Sequence, residues 1–157
     1  LQEIIERWGV LLAPQKNNMR DLLEHEKTIT QFVDENKISF LTDLQTEDEL
    51  LFFIEVLDIF LADTPKLVEL TAEAVKNKNA QNMIFYAHKL KGSCVTLALD
   101  EISKIAADLE NLGRENSFEG TDEKIVRLEE IFLLTVRDLK FLKQKHQKMV
   151  RSISMLK

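Results

Sequence analysis

The stretch AHKLKGSCVTLAL, residues 87–99, contains a histidine, a lysine and a glycine within a segment whose apolar spacing is helical. His88, Lys91 and Gly92 lie at positions i, i+3 and i+4, so a helix brings them to one face. An imidazole has an ordinary pKa of about 6.5 and is nucleophilic near neutral pH, so it can attack phosphorus and hold a phosphoryl group. The ammonium of Lys91 can offset phosphoryl charge. Glycine costs about 1 kcal/mol in a helix interior, and at position 92 it clears the approach to the ring.

Helical geometry predicts that the His88 ring points away from the core. The core-facing stripe of this helix consists of Met83, Tyr86, Leu90, Cys94 and Leu97. The opposite face, around His88, carries Ile84, Phe85, Lys91, Gly92, Val95 and Thr96. A solvated face would carry charge at most of these positions, so its apolar side chains predict a docking surface. The candidates for contact with a partner protein are Ile84, Phe85, Val95 and Thr96.

Other reactive side chains have simpler interpretations. Lys89 is expected to be a solvated charge, and Cys94 a small buried side chain and not a reactive thiol. Ser93 is either a local hydrogen-bonding group or a donor to a partner. His25 has no second ligand at helical spacing, so we expect no metal site. We also expect no other cofactor and no ATP site, because no glycine-rich phosphate loop is present.

Composition favours an all-α protein. The 157 residues are 45% apolar and include only four Gly and two Pro. The formal net charge of −6 and the lack of an obvious basic stretch disfavour nucleic acid as a partner. A single cysteine favours a reducing, cytoplasmic location. No apolar run reaches the roughly 18 residues of a membrane helix, so no membrane association is expected.

The order of apolar stripes predicts an N-terminal helical extension over residues 1–45, with a link over 37–46, and a helical bundle over 46–157. We expect a helix from Glu47 that Pro65 kinks or splits. A turn at 77–79 precedes the histidine helix, for which Asn79 is a candidate N-cap and which ends near Leu97. Asp100 is a candidate N-cap for the next helix. The last helix is expected from Thr121 or Asp122 to about Leu156.

The last helix also carries a heptad seam. Apolar residues alternate at spacings of three and four along Ile125, Leu128, Phe132, Thr135, Leu139, Leu142, His146, Met149, Ile153 and Leu156. The first half of the seam is expected to pack into the bundle. The second half needs a partner, either the N-terminal helix of this chain or another chain, and self-association through the seam or the N-terminal helices stays open.

The segment AHKLKGS, residues 87–93, resembles the motif A-H-x-L-K-G-S of histidine-containing phosphotransfer (HPt) domains. FLADTP (60–65) is similar to the helix that precedes the motif in that family, and LENLGREN (109–116) is similar to the end of the helix that follows it. The resemblance covers residues 46–140. One departure is that the family often has glycine where this chain has Leu97 or Ala98, which leaves the end of the histidine helix open.

This resemblance implies an antiparallel four-helix bundle with His88 exposed as the phosphoryl acceptor, Lys91 as its charge partner and Gly92 as the access residue. It implies a carrier that takes a phosphoryl group from a receiver aspartate or a histidine or hybrid kinase. The carrier then passes the group to a receiver aspartate, with the divalent metal on the receiver. Two alternatives remain: a scaffold of the same fold without transfer, and the phosphoryl-accepting module of a larger sensor or chemotaxis kinase.

Overall fold

The computed structural model describes residues 32–38 and 46–157. It contains four α-helices, preceded by a 3₁₀ turn at Glu35–Lys37: α1 (Glu47–Lys76), α2 (Ala80–Thr96), α3 (Asp100–Arg114) and α4 (Thr121–Met155). Short connections make consecutive helices antiparallel. Both α2 and α4 pack against α1 and α3, so α2 and α4 occupy opposite corners of the bundle. The prediction of an all-α four-helix bundle with a long C-terminal helix is confirmed.

Two helices begin at side-chain caps that the sequence encodes. Thr46 and Glu49 form a reciprocal capping box at the start of α1. Asn79 accepts a hydrogen bond from the Asn82 backbone N–H at 3.0 Å, which confirms its predicted role as the N-cap of α2. The expected cap at Asp100 is wrong, because Leu99 occupies the N-cap position without a side-chain hydrogen bond. Asp100 lies in the first turn, where a carboxylate interacts favourably with the helix dipole.

Helix α2 ends without the glycine that the related family often has there. The Ala98 N–H donates to the carbonyl of Val95, and the Leu99 N–H donates to that of Cys94, which is a Schellman closure. This closure holds Ala98 in the left-handed region at φ 52°. The helix therefore ends cleanly at Thr96, and Ala98 carries the backbone strain that glycine avoids.

Replacing Ala98 with glycine is expected to raise the free energy of unfolding by about 0.5 to 1 kcal/mol, because it removes this left-handed strain. Urea denaturation measures the change. The matched control, Ala62→Gly on the exposed face of α1, should lower stability by about 1 kcal/mol. A destabilising Ala98→Gly change would contradict the strain argument.

Helix α1 runs without interruption through Pro65, so of the two outcomes expected there, a kink or a split, the split does not occur. Proline removes one backbone hydrogen bond from the helix, yet Thr64 and Val68 on either side of it are buried in the bundle. Packing of both flanking turns holds the helix together across the missing bond. None of the helices in the described part of the chain is long and apolar enough to cross a membrane.

The long helices α1 and α4 extend together beyond α2 and α3. Where α1 begins and α4 ends, Glu47 accepts hydrogen bonds from Ser154 and Lys157, both at 2.8 Å. Further in, the Phe53 ring packs edge-on against His146, with ring centroids 4.8 Å apart. The second half of the heptad seam thus finds a partner within the chain, the first half of α1.

Seam residues are buried from Leu128 to His146, whereas Met149 is 40% exposed and Leu156 is 88% exposed. From the predicted extension, Val33 and Ile38 are buried in the core of the bundle. The rest of that extension, residues 1–31 and 39–45, lies outside the described residues. The boundary at 45/46 and self-association through the N-terminal helices or the seam stay predictions.

Candidate functional site

The His88 ring lies on the outer face of α2, as helical geometry predicts. Its side chain is 65% exposed, and Lys91 one turn later is 35% exposed. The opposite face of the helix is buried in the core through Met83, Ala87, Leu90 and Cys94. Burial of that face fixes the helix rotation, so the imidazole points to solvent.

A buried carboxylate that sequence reasoning missed organises the site. Glu110, on α3, is 4% exposed in its side chain. Its Oε1 atom lies 3.1 Å from His88 Nδ1. Its carboxylate also accepts hydrogen bonds from Lys91 Nζ and from Arg114, both at 2.6 Å. One anion on α3 therefore holds the ring, the lysine and an arginine in a single cluster.

The signal for Glu110 is present in the sequence. Glu110 follows Ala106 by four residues and precedes Gly113 by three, so all three lie on the buried side of α3. Buried carboxylates are rare unless they are paired, so a glutamate on an apolar stripe requires cationic partners. The motif AHKLKGS covers only the histidine helix, and the resemblance of LENLGREN (109–116), which contains Glu110, assigns that residue no role.

The charge of Glu110 determines which nitrogen of the neutral His88 ring carries the proton. The Lys91 ammonium, the Arg114 guanidinium and the hydrogen bond with His88 lower the pKa of Glu110 to about 2 against the opposing effect of burial. An ionised carboxylate only accepts hydrogen bonds, so Nδ1 of His88 carries the proton. In the neutral ring the lone pair is therefore on Nε2, the nitrogen that does not contact Glu110.

Two glycines have opposite roles around this cluster. A Cβ on Gly113 would lie 2.7 Å from Ile84 Cγ1 and 3.2 Å from the Ala80 carbonyl oxygen, so glycine there allows α3 to approach α2 closely. A Cβ on Gly92 would meet nothing within 4 Å. The absence of a side chain at position 92 therefore serves no packing need within the described residues and leaves the space beside the ring open.

The predicted docking residues separate into two groups. Phe85 and Val95 are 52% and 64% exposed, and Thr96 is also exposed. Ile84 is only partly exposed, because its side chain fills the space beside Gly113. Ile84 therefore belongs mainly to the α2–α3 contact, and the outer surface of α2 around His88 is provided by the other three.

Neighbouring polar side chains form local contacts. Lys89 lies over the Phe85 ring, with Nζ 4.5 Å from the ring centroid, and so does more than carry a solvated charge. Ser93 donates a hydrogen bond to the Lys89 carbonyl at 3.2 Å, which favours its local role. Cys94 is fully buried, and burial raises its pKa to about 12, so it is not a reactive thiol under ordinary conditions.

The Glu110 cluster should make stability depend on acid pH. Its folded pKa of about 2 lies below the ordinary 4.5, so its stabilising effect is complete above about pH 4.5 and is lost as pH falls towards 2. We expect this loss to be about 1 to 2 kcal/mol, because His88 and Arg114 are exposed and solvent screens them. Urea denaturation of wild type and Glu110→Gln between pH 6 and pH 3 measures it. A difference between the two proteins that does not shrink in acid would contradict this assignment.

Comparisons with known proteins agree with this fold. The sequence model of the Hpt domain family matches residues 55–138, a little more than half of the chain. The solved structure of histidine-containing phosphotransfer protein B (HptB) from Pseudomonas aeruginosa PAO1 is similar in fold, with a TM-score of 0.60 and 20% sequence identity. The similarity covers 76% of this chain and 97% of that one. No curated protein gives a significant match.

A four-helix bundle that exposes a histidine on one helix defines a class of phosphoryl carriers. The chain belongs to the Hpt domain family. Its general role is therefore histidine phosphotransfer in two-component signalling, as a carrier and not as a kinase. Members of this family interact with kinases and with receiver domains of response regulators.

Proposed function

We propose that His88 accepts a phosphoryl group from a receiver aspartate and returns it to a receiver aspartate, so that the chain is an intermediate in a phosphorelay. The observation that supports this most directly is the bond between His88 Nδ1 and Glu110 Oε1, 3.1 Å long. It leaves Nε2 with its lone pair directed away from the carboxylate, on a ring that is 65% exposed.

The transfer is a single displacement at phosphorus. The Nε2 lone pair of His88 forms a bond to phosphorus while the bond from phosphorus to the aspartyl oxygen breaks, and the leaving carboxylate keeps the electron pair. The ring gains positive charge, and Glu110 stabilises it through the Nδ1 proton. Lys91, which lies beside the ring, offsets the charge of the phosphoryl oxygens. The reverse displacement passes the group on.

This mechanism assigns the remaining chemistry to the partner. The receiver supplies the divalent metal, and the outer surface of α2 supplies a nucleophile, one cation and apolar contact. Phe85, Val95 and Thr96 surround the histidine and can exclude water from the docked complex. A histidine or hybrid kinase is the alternative donor, and a scaffold that binds receivers without transfer is the alternative function.

The test is incubation of the chain with a receiver that carries a labelled aspartyl phosphate. We expect the label to move to the chain as an acid-labile, base-stable phosphoryl group. Addition of a second, unphosphorylated receiver should then remove it. Binding of the receiver without transfer of label would favour the scaffold, and label from a kinase alone would identify the kinase as the donor.

Replacing Gly92 with leucine is expected to slow transfer about 10- to 100-fold, because its side chain occupies the open space beside His88 and misplaces the docked receiver. Stability should not fall, since a Cβ there meets nothing within 4 Å and leucine is a better helix former. Single-turnover transfer and urea denaturation measure the two effects. Gly92→Ala, which adds only a methyl group, is the control and should transfer faster than Gly92→Leu. Wild-type transfer by Gly92→Leu would remove the access role of this glycine.

A further inference from the structure

Positive charge is concentrated on the C-terminal half of α4. Residues 137–157 hold seven of the chain's 21 Lys and Arg residues but only one of its 27 Asp and Glu residues. The expectation that no basic stretch stands out is therefore wrong, because the acidic remainder of the chain hides this segment in the overall charge of −6. The contrast between the two parts indicates a local function for this segment.

The exposed side of this segment is a stripe without acidic residues. Spacings of three and four place six residues along one face of the helix: Arg137, Lys140, Gln144, Lys148, Arg151 and Met155. The stripe is about 27 Å long at the rise of an α-helix. The single acid, Asp138, is buried, and its Oδ1 lies 3.6 Å from Arg137 Nε, so the first cation of this face is paired. We call these six residues the α4 basic stripe.

Acids of the chain neutralise the lysines beside the stripe but not Lys148 and Arg151 in its C-terminal half. Lys143 pairs with Asp58, Lys145 pairs with Glu35 at 3.0 Å, and Lys157 pairs with Glu47 at 2.8 Å. These acids belong to α1 and to the turn at Glu35–Lys37.

Lys148 and Arg151, in contrast, are exposed and have no ion-pair partner within residues 32–38 and 46–157. At Lys140, burial and the nearby charge of Lys143 lower the pKa.

The position of the stripe leaves His88 accessible. Helices α2 and α4 occupy opposite corners of the bundle, and the stripe faces away from the bundle core. At its C-terminal end, Met155 and Leu156 are 87% and 88% exposed. A partner on the stripe would therefore meet cations over about four turns and then two apolar side chains, with the histidine on the other side of the molecule.

We propose that the α4 basic stripe binds an anionic lipid surface. Cations spaced along one helix face attract anionic headgroups, and apolar side chains such as Met155 and Leu156 can enter the interface. The face has no array of paired donors and acceptors that would select one protein sequence. The expectation of no membrane association rested on the lack of a spanning segment, and surface binding needs none. In this orientation His88 faces away from the lipid.

The test is sedimentation of the chain with vesicles. We expect binding to vesicles of phosphatidylglycerol mixed with phosphatidylcholine, no binding to phosphatidylcholine alone, and release as salt concentration rises. The double variant Lys148→Gln/Arg151→Gln should bind about 25-fold more weakly, because each surface cation contributes roughly fivefold. Met155→Ser should weaken binding further.

The matched control is Lys76→Gln/Lys104→Gln, which removes the same charge from exposed positions on α1 and α3. It should bind vesicles like wild type. Equal binding by both double variants, or equal binding to both kinds of vesicle, would overturn the proposal. So would binding of duplex DNA or polyglutamate without binding of vesicles. Phosphoryl transfer should be unchanged in the Lys148→Gln/Arg151→Gln variant, so this result is independent of the proposed function.

Discussion

Replacing His88 with glutamine is expected to abolish phosphorylation of the chain by a phosphorylated receiver, with labelling reduced at least 1000-fold. Glutamine is similar in size and polarity, but its amide nitrogen has no lone pair available for attack on phosphorus. The fold should persist, because the His88 side chain is 65% exposed and packs into no core. Acid-labile label is measured on denaturing gels at neutral and at low pH, and circular dichroism checks the helix content.

The other two histidines provide the controls. His146 is buried against Phe53, and its Nδ1 lies 2.9 Å from the Leu142 carbonyl oxygen, so it is inaccessible to a receiver. His25→Gln and His146→Gln should both keep the label, although the second variant should unfold at lower urea concentration. Equal labelling of wild type and His88→Gln would refute the assignment of the acceptor.

Replacing Glu110 with leucine is expected to slow transfer about 10- to 100-fold while the bundle stays folded. Without an acceptor at Nδ1, the His88 ring can rotate, and its proton can move to Nε2, where it blocks the nucleophilic lone pair. Lys91 also loses the anion that holds it beside the ring. The two cations that Glu110 pairs with, Lys91 and Arg114, can reach water, so removal of the carboxylate should cost no more than the about 1 to 2 kcal/mol expected for its protonation.

Glu110 acts through the ring and is therefore a positioning residue, which a conservative variant can reveal. Glu110→Gln keeps a carbonyl acceptor for Nδ1 and should recover part of the lost rate. The pH profile of transfer should also differ between wild type and Glu110→Leu. The matched control is Glu101→Gln, on the same helix but paired with Arg127 at 2.8 Å and far from the cluster. A folded Glu110→Leu variant that transfers at the wild-type rate would exclude this role.

The sequence predicts the helices and the exposed histidine because both depend on local spacing. A stripe of apolar residues sets the rotation of α2, and that rotation alone places His88 outside. The first turn of α1 and the cap at Asn79 also depend on residues close in sequence. The cap expected at Asp100 was wrong because the Schellman closure at Ala98 places Leu99, one residue earlier, at the N-cap position.

The sequence does not predict contacts between helices with comparable certainty. Glu110 is 22 residues from His88, and their contact depends on how closely α3 approaches α2. That distance depends in turn on Gly113 against Ile84, a contact that no spacing rule within one helix reveals. Likewise, overall charge hid the α4 basic stripe, because formal charge is summed without regard to position.

The close packing of α2 on α3 has a consequence for protein engineering. Grafting only the segment AHKLKGS onto another helix would transfer the nucleophile without the carboxylate that orients it. Glu110 supplies that carboxylate, and Gly113 allows the close helix spacing that brings it to His88. The smallest portable unit is therefore the helical hairpin of residues 80–114, and a donor scaffold must accept its interhelical spacing unchanged.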